Sequence, residues 1–588
     1  MPAPLRVRGG GDRIASPSLN MSTPSEFRIV SLRSEVTVRL PDGRVVEGTR
    51  GSPVGDFLKA LAFPVPIVAA IVDDELRELT FPIEREAAVV PVLMSDADGA
   101  RIYRRSLNFL LEAAFADLFP GARLTIDHSI SFGGYYCQIS GRGSLSTDEL
   151  GQLRAHMAAL VGQDVPFVKT EVPLQEAIRY FEFLGHREKV DLLRYRTKSY
   201  LTMYQLGERM DYHHGYMVPS TGYLKWFDLL PVDGGFTLRF PRRHAPTQLE
   251  AVSNYPKLLA AFRQYGNWLE RLGIANVGAL DAAIEAGRAH ELVLVSEALH
   301  ELNISDIAQQ IALRRPRIIL ISGPSSSGKT TLSRRLMIQL LALGISPFPL
   351  EVDNYFLDRD KTPAGDDGKP DFESIAAVDI ALLGQDLPKL IQGDAVRLPR
   401  YDFKAGRRVE GESIQLLGEQ PIILEGIHGM NPRLIPESLA GDAFRIYVSA
   451  LTQLNLDRHN RVSTTDTRLI RRIVRDARER GYSARDTISR WESVRAGEKK
   501  NIFPYQENAD VMFNSAAVYE LSALKPLAEP LLRQVPFGTL EYIEAKRLLA
   551  FLEWFLPIDI RLVPENSLVR EFVGGSNLKD FRVWRQQQ

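Results

Sequence analysis

The chain has 588 residues, 45% of them hydrophobic and 25% charged, with a formal net charge of −1, which is ordinary for soluble globular protein. So small a net charge excludes a global positive field that would draw the whole chain to nucleic acid or to an anionic membrane, although a local basic patch stays open. The sequence has no uninterrupted apolar run near the roughly 18 residues of a membrane span. Its single cysteine, Cys137, excludes an intrachain disulfide and fits a reducing compartment, so we expect a cytoplasmic protein of several domains.

The N-terminal segment "MPAPLRVRGGGDRIASPSLN" is rich in Gly, Pro and Ser and lacks the apolar core of a signal peptide. We predict a disordered leader over residues 1–26. A second methionine, Met21, leaves open whether translation starts there or at Met1.

A small domain is predicted after the leader. Val36, Val38 and Leu40 alternate in "EVTVRLPDGRVVEG", and an Asp-Gly turn follows, which is the pattern of a β-hairpin over 35–48. The next stretch, "SPVGDFLKAL", predicts a short helix, and further short strands follow it. Two strands, a helix and more strands predict a β-grasp domain over 27–95.

Residues 100–242 begin with a helical pattern and continue with strands, in the stretch "RIYRRSLNFLLEAAFADLFPGARLTIDHSISFGGYYCQIS". We predict an α+β domain here. Residues 245–311 are helix-like, with "LVLVSEALHELNISDIAQQIALRR" as the clearest stretch, and they predict a helical connector. No internal repeat or low-complexity tract is evident in the sequence.

The stretch "ISGPSSSGKT" (321–330) has the glycine, lysine and threonine spacing of a phosphate-binding P-loop. It follows a four-residue apolar run that predicts a buried parallel strand, and it precedes a helix with a broad apolar face. Backbone N–H groups of such a loop point at the β-phosphate of a nucleoside triphosphate, and the helix N-terminus adds partial positive charge. The predicted nucleotide-binding residues are Gly323, Ser325, Ser326, Ser327, Gly328, Lys329, Thr330 and Thr331.

Within this loop, Lys329 is predicted to reach the β- and γ-phosphates and to take part in catalysis, and the Thr330 hydroxyl is predicted to ligate Mg²⁺. The alternative is a chance pattern in a Gly/Ser-rich turn. The predicted strand before the loop and the predicted helix after it favour the P-loop.

Two carboxylates follow later predicted strands. Asp353 comes after "SPFPLEV", and Glu425 ends the apolar run of "PIILEGIHG". In open α/β sheets, ligands bind at the carboxyl ends of the strands, so both are predicted Mg²⁺ ligands together with Thr330. Asp353 could instead accept a proton from an attacking hydroxyl. The alternative for Asp353 alone is a helix cap or a turn.

The stretch "RLIRRIVRDARERG" (468–481) places arginines at three- and four-residue steps, so that they share one helical face. Because a transferring phosphoryl group needs cations around it, we predict that Arg472 and Arg475 take part in catalysis. Two alternatives stay open. The helix could be a solvated one with internal ion pairs, or it could bind RNA, although few aromatic residues interleave with the arginines as a base-stacking surface needs.

Together these pieces resemble the uridine kinase and phosphoribulokinase family of small-molecule kinases, over residues 312–535. The resemblance is carried, in order, by "GPSSSGKTT", "EVDNYF", "PDFESIAAVD", "LPRYDFKAGRR", "ILEGIHG" and "RRIVRDARERG". It implies an α/β P-loop kinase with a parallel sheet.

The resemblance also implies roles for single residues. Asp353 falls on the family's catalytic carboxylate, Tyr401 on the aromatic residue beside the nucleoside, and Glu373 on an Asp that holds the ribose hydroxyls. The positions of the lid arginines that close over the phosphates are Arg472, Arg475 and Arg480.

Three positions depart from that family. Its base-reading His falls on Gly406, and its other base-contacting Arg and Gln fall on Tyr482 and Arg490. The resemblance therefore implies the family's catalysis and leaves uridine or cytidine unsupported as the acceptor.

The N-terminal half carries a second resemblance. Residues 27–95 resemble a TGS domain, the ubiquitin-like module of threonyl-tRNA synthetases and some GTPases, and residues 100–242 resemble the editing domain of threonyl- and alanyl-tRNA synthetases. The four positions at which the editing family binds zinc fall on Arg105, Phe109, His213 and Met217. Because zinc needs three or four ligands, we expect the fold without its metal site.

The whole arrangement resembles the bacterial group of nucleoside kinases with a TGS domain. The tail over 536–588, with "EYIEAKRLLAFLEWFLP" and "REFVGGS", resembles the same group, and we predict that its amphipathic helix packs against the kinase.

We therefore predict a kinase that uses ATP and Mg²⁺ to phosphorylate a hydroxyl of a small molecule, most simply a nucleoside. The alternative is a translation-linked protein that binds tRNA or the ribosome and uses the P-loop as a nucleotide switch. Nucleic-acid binding and homo-oligomers stay open. We expect no membrane partner.

Overall fold

The computed structural model describes residues 33–130, 133–252, 255–365, 368, 370–581 and 583. The predicted leader over 1–26, with both candidate start methionines, lies outside the described residues. The first domain has a five-stranded sheet in the order β2-β1-β5-β3-β4. Its elements are β1 (Glu35–Arg39), β2 (Val45–Thr49), α1 (Val54–Lys59), β3 (Ile67–Val72), β4 (Glu75–Glu78) and β5 (Ala87–Leu93).

The predicted hairpin is confirmed, because β1 and β2 pair antiparallel across the Asp-Gly turn. Gly43 has a φ of 86°, which an L side chain would strain. The return of β5 beside β1 is parallel, so the sheet is mixed, and helix α1 buries Phe57 and Leu58 beneath it.

The second domain has two antiparallel sheets, in the orders β10-β9-β8 and β11-β12-β7-β6. Leu107, Leu110 and Phe115 of its first helix are buried with Leu153 and Cys137 in the core of this domain. Its elements are α2 (Ala97–Leu118), β6 (Arg123–Ile130), β7 (Gly134–Ser140), α3 (Thr147–Gln163), β8 (Phe167–Pro173), α4 (Leu174–Phe183), α5 (Arg187–Leu193), β9 (Tyr200–Leu206), β10 (Arg209–Asp211), β11 (Asp228–Val232) and β12 (Gly235–Arg239).

The connector consists of the helices α6 (Pro256–Leu272), α7 (Val277–Glu285) and α8 (Ala289–Arg314). The boundary placed at residues 311 and 312 falls inside α8. Ile304 and Ile311 of α8 are buried with Ile319 and Leu332, which follow in the next domain. The last connector helix therefore belongs to the core that supports the P-loop.

The C-terminal half is built on a five-stranded sheet in the order β14-β17-β13-β18-β19, with every neighbouring pair parallel. A separate antiparallel hairpin, β15-β16, lies outside this sheet. The elements are β13 (Ile318–Ser322), α9 (Lys329–Ala342), β14 (Phe348–Glu351), α10 (Ile380–Gln392), β15 (Val396–Asp402), β16 (Arg407–Ile414), β17 (Ile422–Glu425), α11 (Glu437–Ala440), β18 (Ala443–Ser449), α12 (Thr464–Glu479), α13 (Ala484–Asn501), β19 (Val511–Asn514) and α14 (Glu520–Leu532).

The order of this sheet positions the site. Strands β14, β17 and β13 are neighbours, so their carboxyl ends meet at one edge. The P-loop follows β13, Glu425 ends β17, and Asp353 lies in a short 3₁₀ helix directly after β14. The predicted multidomain fold with a parallel-sheet P-loop domain is confirmed.

Two further helices, α15 (Leu540–Leu552) and α16 (Arg570–Val573), follow. Helix α15 contacts both halves of the chain: Arg547 pairs with Asp466 of α12 at 2.8 Å, and Glu544 accepts from Arg101 of α2 at 2.8 Å. The predicted packing of this helix on the kinase domain is therefore confirmed, and α2 is an additional partner. None of the helices within the described ranges is long and apolar enough to span a membrane.

Candidate active site

The P-loop is a tight turn between β13 and α9. A Cβ at Gly323 would lie 2.0 Å from the carbonyl oxygen of Val448, so this position admits only glycine. Gly328, directly before α9, has a φ of 89°, and Ser326 has a φ of 58°, which is uncommon for a residue with a side chain. The backbone of this loop is therefore locally strained.

The side chains of the loop fit a nucleoside triphosphate. The hydroxyls of Ser326 and Ser327 are buried and have no hydrogen-bond partner among the described residues, and buried polar groups of this kind are costly unless a ligand satisfies them. Among the described residues, the Lys329 ammonium donates only to the Pro324 carbonyl, at 3.2 Å. The Thr330 hydroxyl donates to Glu425 at 2.8 Å, which joins two predicted Mg²⁺ ligands.

Three carboxylates lie around Lys329. Burial raises the pKa of Asp353 to about 6 and the pKa of Glu373 and Glu425 to about 7, and the Lys329 ammonium opposes the rise in each case. Arg480 also lowers the pKa of Asp353 and Arg472 that of Glu373, but burial outweighs these cations. Carboxylate and hydroxyl oxygens are the ligands that Mg²⁺ prefers, so the cluster fits a divalent cation.

The two residues predicted to hold the acceptor also present unpaired groups. Within the described residues, one oxygen of Glu373 and the hydroxyl of Tyr401 are buried without a hydrogen-bond partner. Glu373 packs on α13, where a Cβ at Gly497 would lie 2.3 Å from the Glu373 Cβ. The Tyr401 ring lies 5.7 Å from the Phe356 ring, edge to face, so an aromatic wall stands beside the acidic cluster.

The three predicted lid arginines share a single carboxylate. Arg472, Arg475 and Arg480 contact Asp476 at 3.2, 3.0 and 3.4 Å. Arg472 also donates to the Ser325 hydroxyl at 2.8 Å, which brings it to the P-loop. Three guanidinium groups on one carboxylate leave a surplus of positive charge, and that surplus suits the phosphates of a nucleotide.

The arginines of α12 share one face, as predicted, since Arg468, Arg471 and Arg472 all contact the P-loop, but the two inward members are buried in ion pairs. Arg468 is ion-paired with Glu498 and donates to the Ser325 carbonyl at 2.9 Å. Arg471 is ion-paired with Glu520. Both are almost completely buried, so they brace the P-loop from behind and leave the open surface to the other arginines.

Two carboxylates that sequence reasoning missed contact the P-loop. Glu498 accepts from the backbone N–H of Ser325 at 3.1 Å. Glu571, in α16, accepts from the backbone N–H and the hydroxyl of Thr331 at 3.1 and 2.9 Å. Arg478 holds the same segment by donating to the Glu571 carbonyl at 3.0 Å. Backbone N–H and hydroxyl groups of the kind that a P-loop donates to phosphate are thus hydrogen-bonded to carboxylates of the protein.

The three positions that depart from the kinase family contain no base-reading arrangement. Gly406 has a φ of 67° and is covered by Arg359, whose backbone N–H donates to the Gly406 carbonyl at 2.8 Å. Arg490 lies over the Tyr482 ring at 4.2 Å, and this pair stands near the surface.

In the second domain, the four positions of the editing family's zinc site are engaged with other protein groups. Arg105 donates to the Tyr216 carbonyl at 2.6 Å. The Phe109 and His213 rings are 4.9 Å apart, and the Met217 sulfur accepts from Ser106 at 3.4 Å.

One other cluster in this domain has the composition of a metal site. Glu112, Asp211 and His459 each offer a ligand atom, within 4.8 Å of one another. The buried Lys189 ammonium, however, lies 2.5 and 2.6 Å from the two oxygens of Asp211. Although burial opposes it, Glu112 and Asp211 raise the pKa of His459 to about 10. Two cations therefore already neutralise this cluster.

The comparisons with known proteins divide the chain in two. Residues 318–522 match the model of the Phosphoribulokinase / Uridine kinase family, which confirms the resemblance seen in the ordered motifs.

The N-terminal region matches threonine–tRNA ligases. The ligase of Laribacter hongkongensis is 33% identical over 202 residues, which cover 34% of this chain and 32% of the ligase. The ligase of Burkholderia lata is 33% identical over 205 residues, with the same two coverages. The chain therefore spans about a third of the length of the curated relatives that it matches.

Two solved structures are similar to part of the chain. One, described as a possible uridine kinase from Bacillus stearothermophilus, is 18% identical, with a TM-score of 0.23, and covers 34% of this chain and 89% of that one. D-glycerate 3-kinase from Cryptococcus neoformans is 14% identical, with a TM-score of 0.20, and covers 46% and 87%. Because both scores are low, the fold rests on the strand order and on the family match.

Proposed function

We propose that the chain is a kinase that transfers the γ-phosphoryl group of ATP, with Mg²⁺, to a hydroxyl of a small molecule, and that the acceptor is a nucleoside. The observation that carries the proposal is the gathering of Asp353, Glu373 and Glu425 around Lys329 of the P-loop. A nucleotide switch needs the loop and a metal ligand, but it has no use for further acids and an aromatic wall.

Each group has a task in this proposal. When bound, MgATP supplies the γ-phosphoryl group and neutralises part of its charge. Asp353 accepts the proton of the attacking hydroxyl at a carboxylate oxygen, a contribution of about 10²–10⁴ in rate. Lys329 and Arg472 place positive charge beside the P-loop, where negative charge develops. The other lid arginines help to exclude water.

The acceptor side fits a ribosyl compound. The unpaired Glu373 oxygen can accept hydrogen bonds from the hydroxyls of a ribose, and the ring and hydroxyl of Tyr401 can contact a base. A site built to hydrogen-bond one base rejects others by as much as ~10⁴–10⁵. Gly406, Tyr482 and Arg490 offer no such site, so we infer weak discrimination among bases.

The test is conversion of ATP to ADP with a panel of nucleosides, 2′-deoxynucleosides and sugar phosphates, with ATP alone as the control. We expect turnover to require an acceptor, ribonucleosides to exceed their deoxy forms, and purines to be accepted. Selectivity for uridine and cytidine of more than about a hundredfold over purines, some 2.7 kcal/mol, would contradict the inferred site. ATP consumption that needs no acceptor would contradict the kinase itself.

The match to threonine–tRNA ligases favours a second candidate function, a translation-linked protein that binds tRNA or the ribosome. In that case ATP would be consumed without a small acceptor, and tRNA or ribosomes would change the rate. The same assay, repeated with tRNA and with ribosomes in place of the nucleoside, separates the two candidates.

A further inference from the structure

A large cavity lies away from the P-loop. It has a volume of about 960 Å³ and opens between the second domain and the C-terminal half. Helix α2 contributes Arg104 and Arg105, the segment before α12 contributes Arg461, and α13 contributes Lys499. The cavity therefore exists only because the two halves pack together.

These four cations have no carboxylate within 4.0 Å in the described part of the chain. Each guanidinium uses a single N–H on a backbone carbonyl: Arg104 on Ala100 at 2.8 Å, Arg105 on Tyr216 at 2.6 Å and Arg461 on Asp127 at 3.0 Å. Since a guanidinium has five N–H donors, most of their donors stay available. Lys499 donates no hydrogen bond to any described residue.

The acids of the same cavity do not compensate these cations. Glu544 and Asp466 are bound by Arg547, and Glu492 is bound by Arg243. Burial, together with the neighbouring Arg495 and Arg243, lowers the pKa of Lys499 to about 8. These acids are thus paired with other cations, and Lys499 lies among like charges.

We propose that this cavity is a binding site for a small phosphorylated molecule, with Arg104, Arg105, Arg461 and Lys499 as its phosphate ligands. Arginine is suited to phosphate because its planar fork donates two parallel hydrogen bonds. The volume is that of a site for a small ligand. The rings of Phe240 and Tyr135, which stand under Arg104 and Arg461 at 5.6 and 4.7 Å and meet edge to face, give the cavity an apolar surface for the rest of the molecule.

The test is calorimetric titration of the full-length protein with inorganic pyrophosphate, in a Lys329→Ala background that weakens the P-loop. Lys499→Gln and Arg104→Gln should each weaken pyrophosphate binding at least tenfold. Lys500→Gln, the adjacent exposed lysine of the same helix, is the matched control and should change the Kd by less than twofold. Because Lys499 donates no hydrogen bond within the described chain and lies among like charges, its substitution should not lower the thermal unfolding midpoint.

Equal affinity of Lys499→Gln, Arg104→Gln and their parent for pyrophosphate would overturn the proposal. So would a single-stranded RNA dodecamer that binds a hundredfold more tightly than pyrophosphate and loses its affinity with the same substitutions, because the cavity would then serve RNA. Neither result depends on phosphoryl transfer, so a failure here is distinct from a failure of the kinase.

Discussion

Buried carboxylates gather both at the P-loop and where the second domain meets the segment before α12, but two buried cations lie among those of the second cluster. Lys189 and His459 lie among Glu112, Asp211 and Asp457, and the Lys189 ammonium lowers the pKa of both aspartates although burial opposes it. Burial raises the pKa of the third acid of this cluster, Glu112, to about 7, whereas around Lys329 it raises the pKa of all three acids.

The difference separates a structural cluster from a functional one. A cluster whose charges cancel stabilises the folded chain, and removing one member leaves a buried charge without a partner. A cluster with uncompensated charge destabilises the folded chain, and such clusters occur at sites where a bound ligand supplies the opposite charge. Both contain the residue types of a metal site, so composition alone does not distinguish them.

The largest expected effect comes from the uncompensated cluster. Asp353→Asn should lower the rate of phosphoryl transfer by about 10²–10⁴, because it removes the proton acceptor. It should not lower the free energy of unfolding, because the buried carboxylate is held at a raised pKa and the amide carries no charge. Single-turnover product formation, nucleotide affinity and denaturant unfolding measure the three quantities separately. Near-normal turnover would remove Asp353 from the mechanism.

The balanced cluster should respond in the opposite way. Lys189→Met should reduce the free energy of unfolding by about 3–5 kcal/mol, because Asp211 and Asp457 would lose their buried cation. Lys198→Met is the control: it removes a lysine paired with Glu553 at 2.8 Å near the surface, where such pairs contribute about 0–1 kcal/mol. Denaturant unfolding measures both. Equal losses in the two variants would mean that the cluster is not held together by Lys189.

A smaller effect is expected at the tail. Glu571→Gln should tighten ATP binding by about tenfold, because a carboxylate no longer competes for the Thr331 donors. Glu565→Gln, an exposed acid that precedes α16, is the matched control. Calorimetry without an acceptor measures the affinity. Weaker binding in Glu571→Gln would show that the tail completes the nucleotide site and does not compete for it.

The smallest expected effect is a pH dependence of metal binding. Since the pKa of Glu425 is raised to about 7, falling pH protonates it and removes a Mg²⁺ ligand. Between pH 7.5 and 6.5 its ionised fraction falls roughly threefold, so the half-saturating Mg²⁺ concentration should rise by about that factor. Glu425→Gln serves as the control for the titration of the nucleotide. The same pH dependence in that variant would exclude Glu425 as the titrating ligand.

The sequence was sufficient to predict the features formed by elements that are consecutive along the chain. Strand, glycine-rich loop and helix are consecutive, so the P-loop could be predicted from the pattern, and Asp353 and Glu425 from the strands before them. Glu498 and Glu571 could not, because they reach the loop from helices 173 and 240 residues away along the chain. That three arginines share Asp476 as their partner could not be predicted either, because it depends on how α12 packs.

The N-terminal half illustrates the same limit. The substitutions at Arg105, Phe109 and Met217 could be read from the sequence, and they predict an absent zinc site. The cluster of Glu112, Asp211 and His459 could not be predicted, because His459 comes from the other half of the chain. A residue's partners across a domain interface leave no periodic pattern in the sequence.

The distance between Thr331 and Glu571 along the chain has a consequence for synthesis. Their contact spans 240 residues, so at about 5–20 residues per second the loop leaves the ribosome roughly 12–48 s before Glu571 is made. During that interval the Thr331 donors have no Glu571 carboxylate to bind. The order of synthesis therefore determines whether nucleotide or the Glu571 carboxylate is the first to bind these donors.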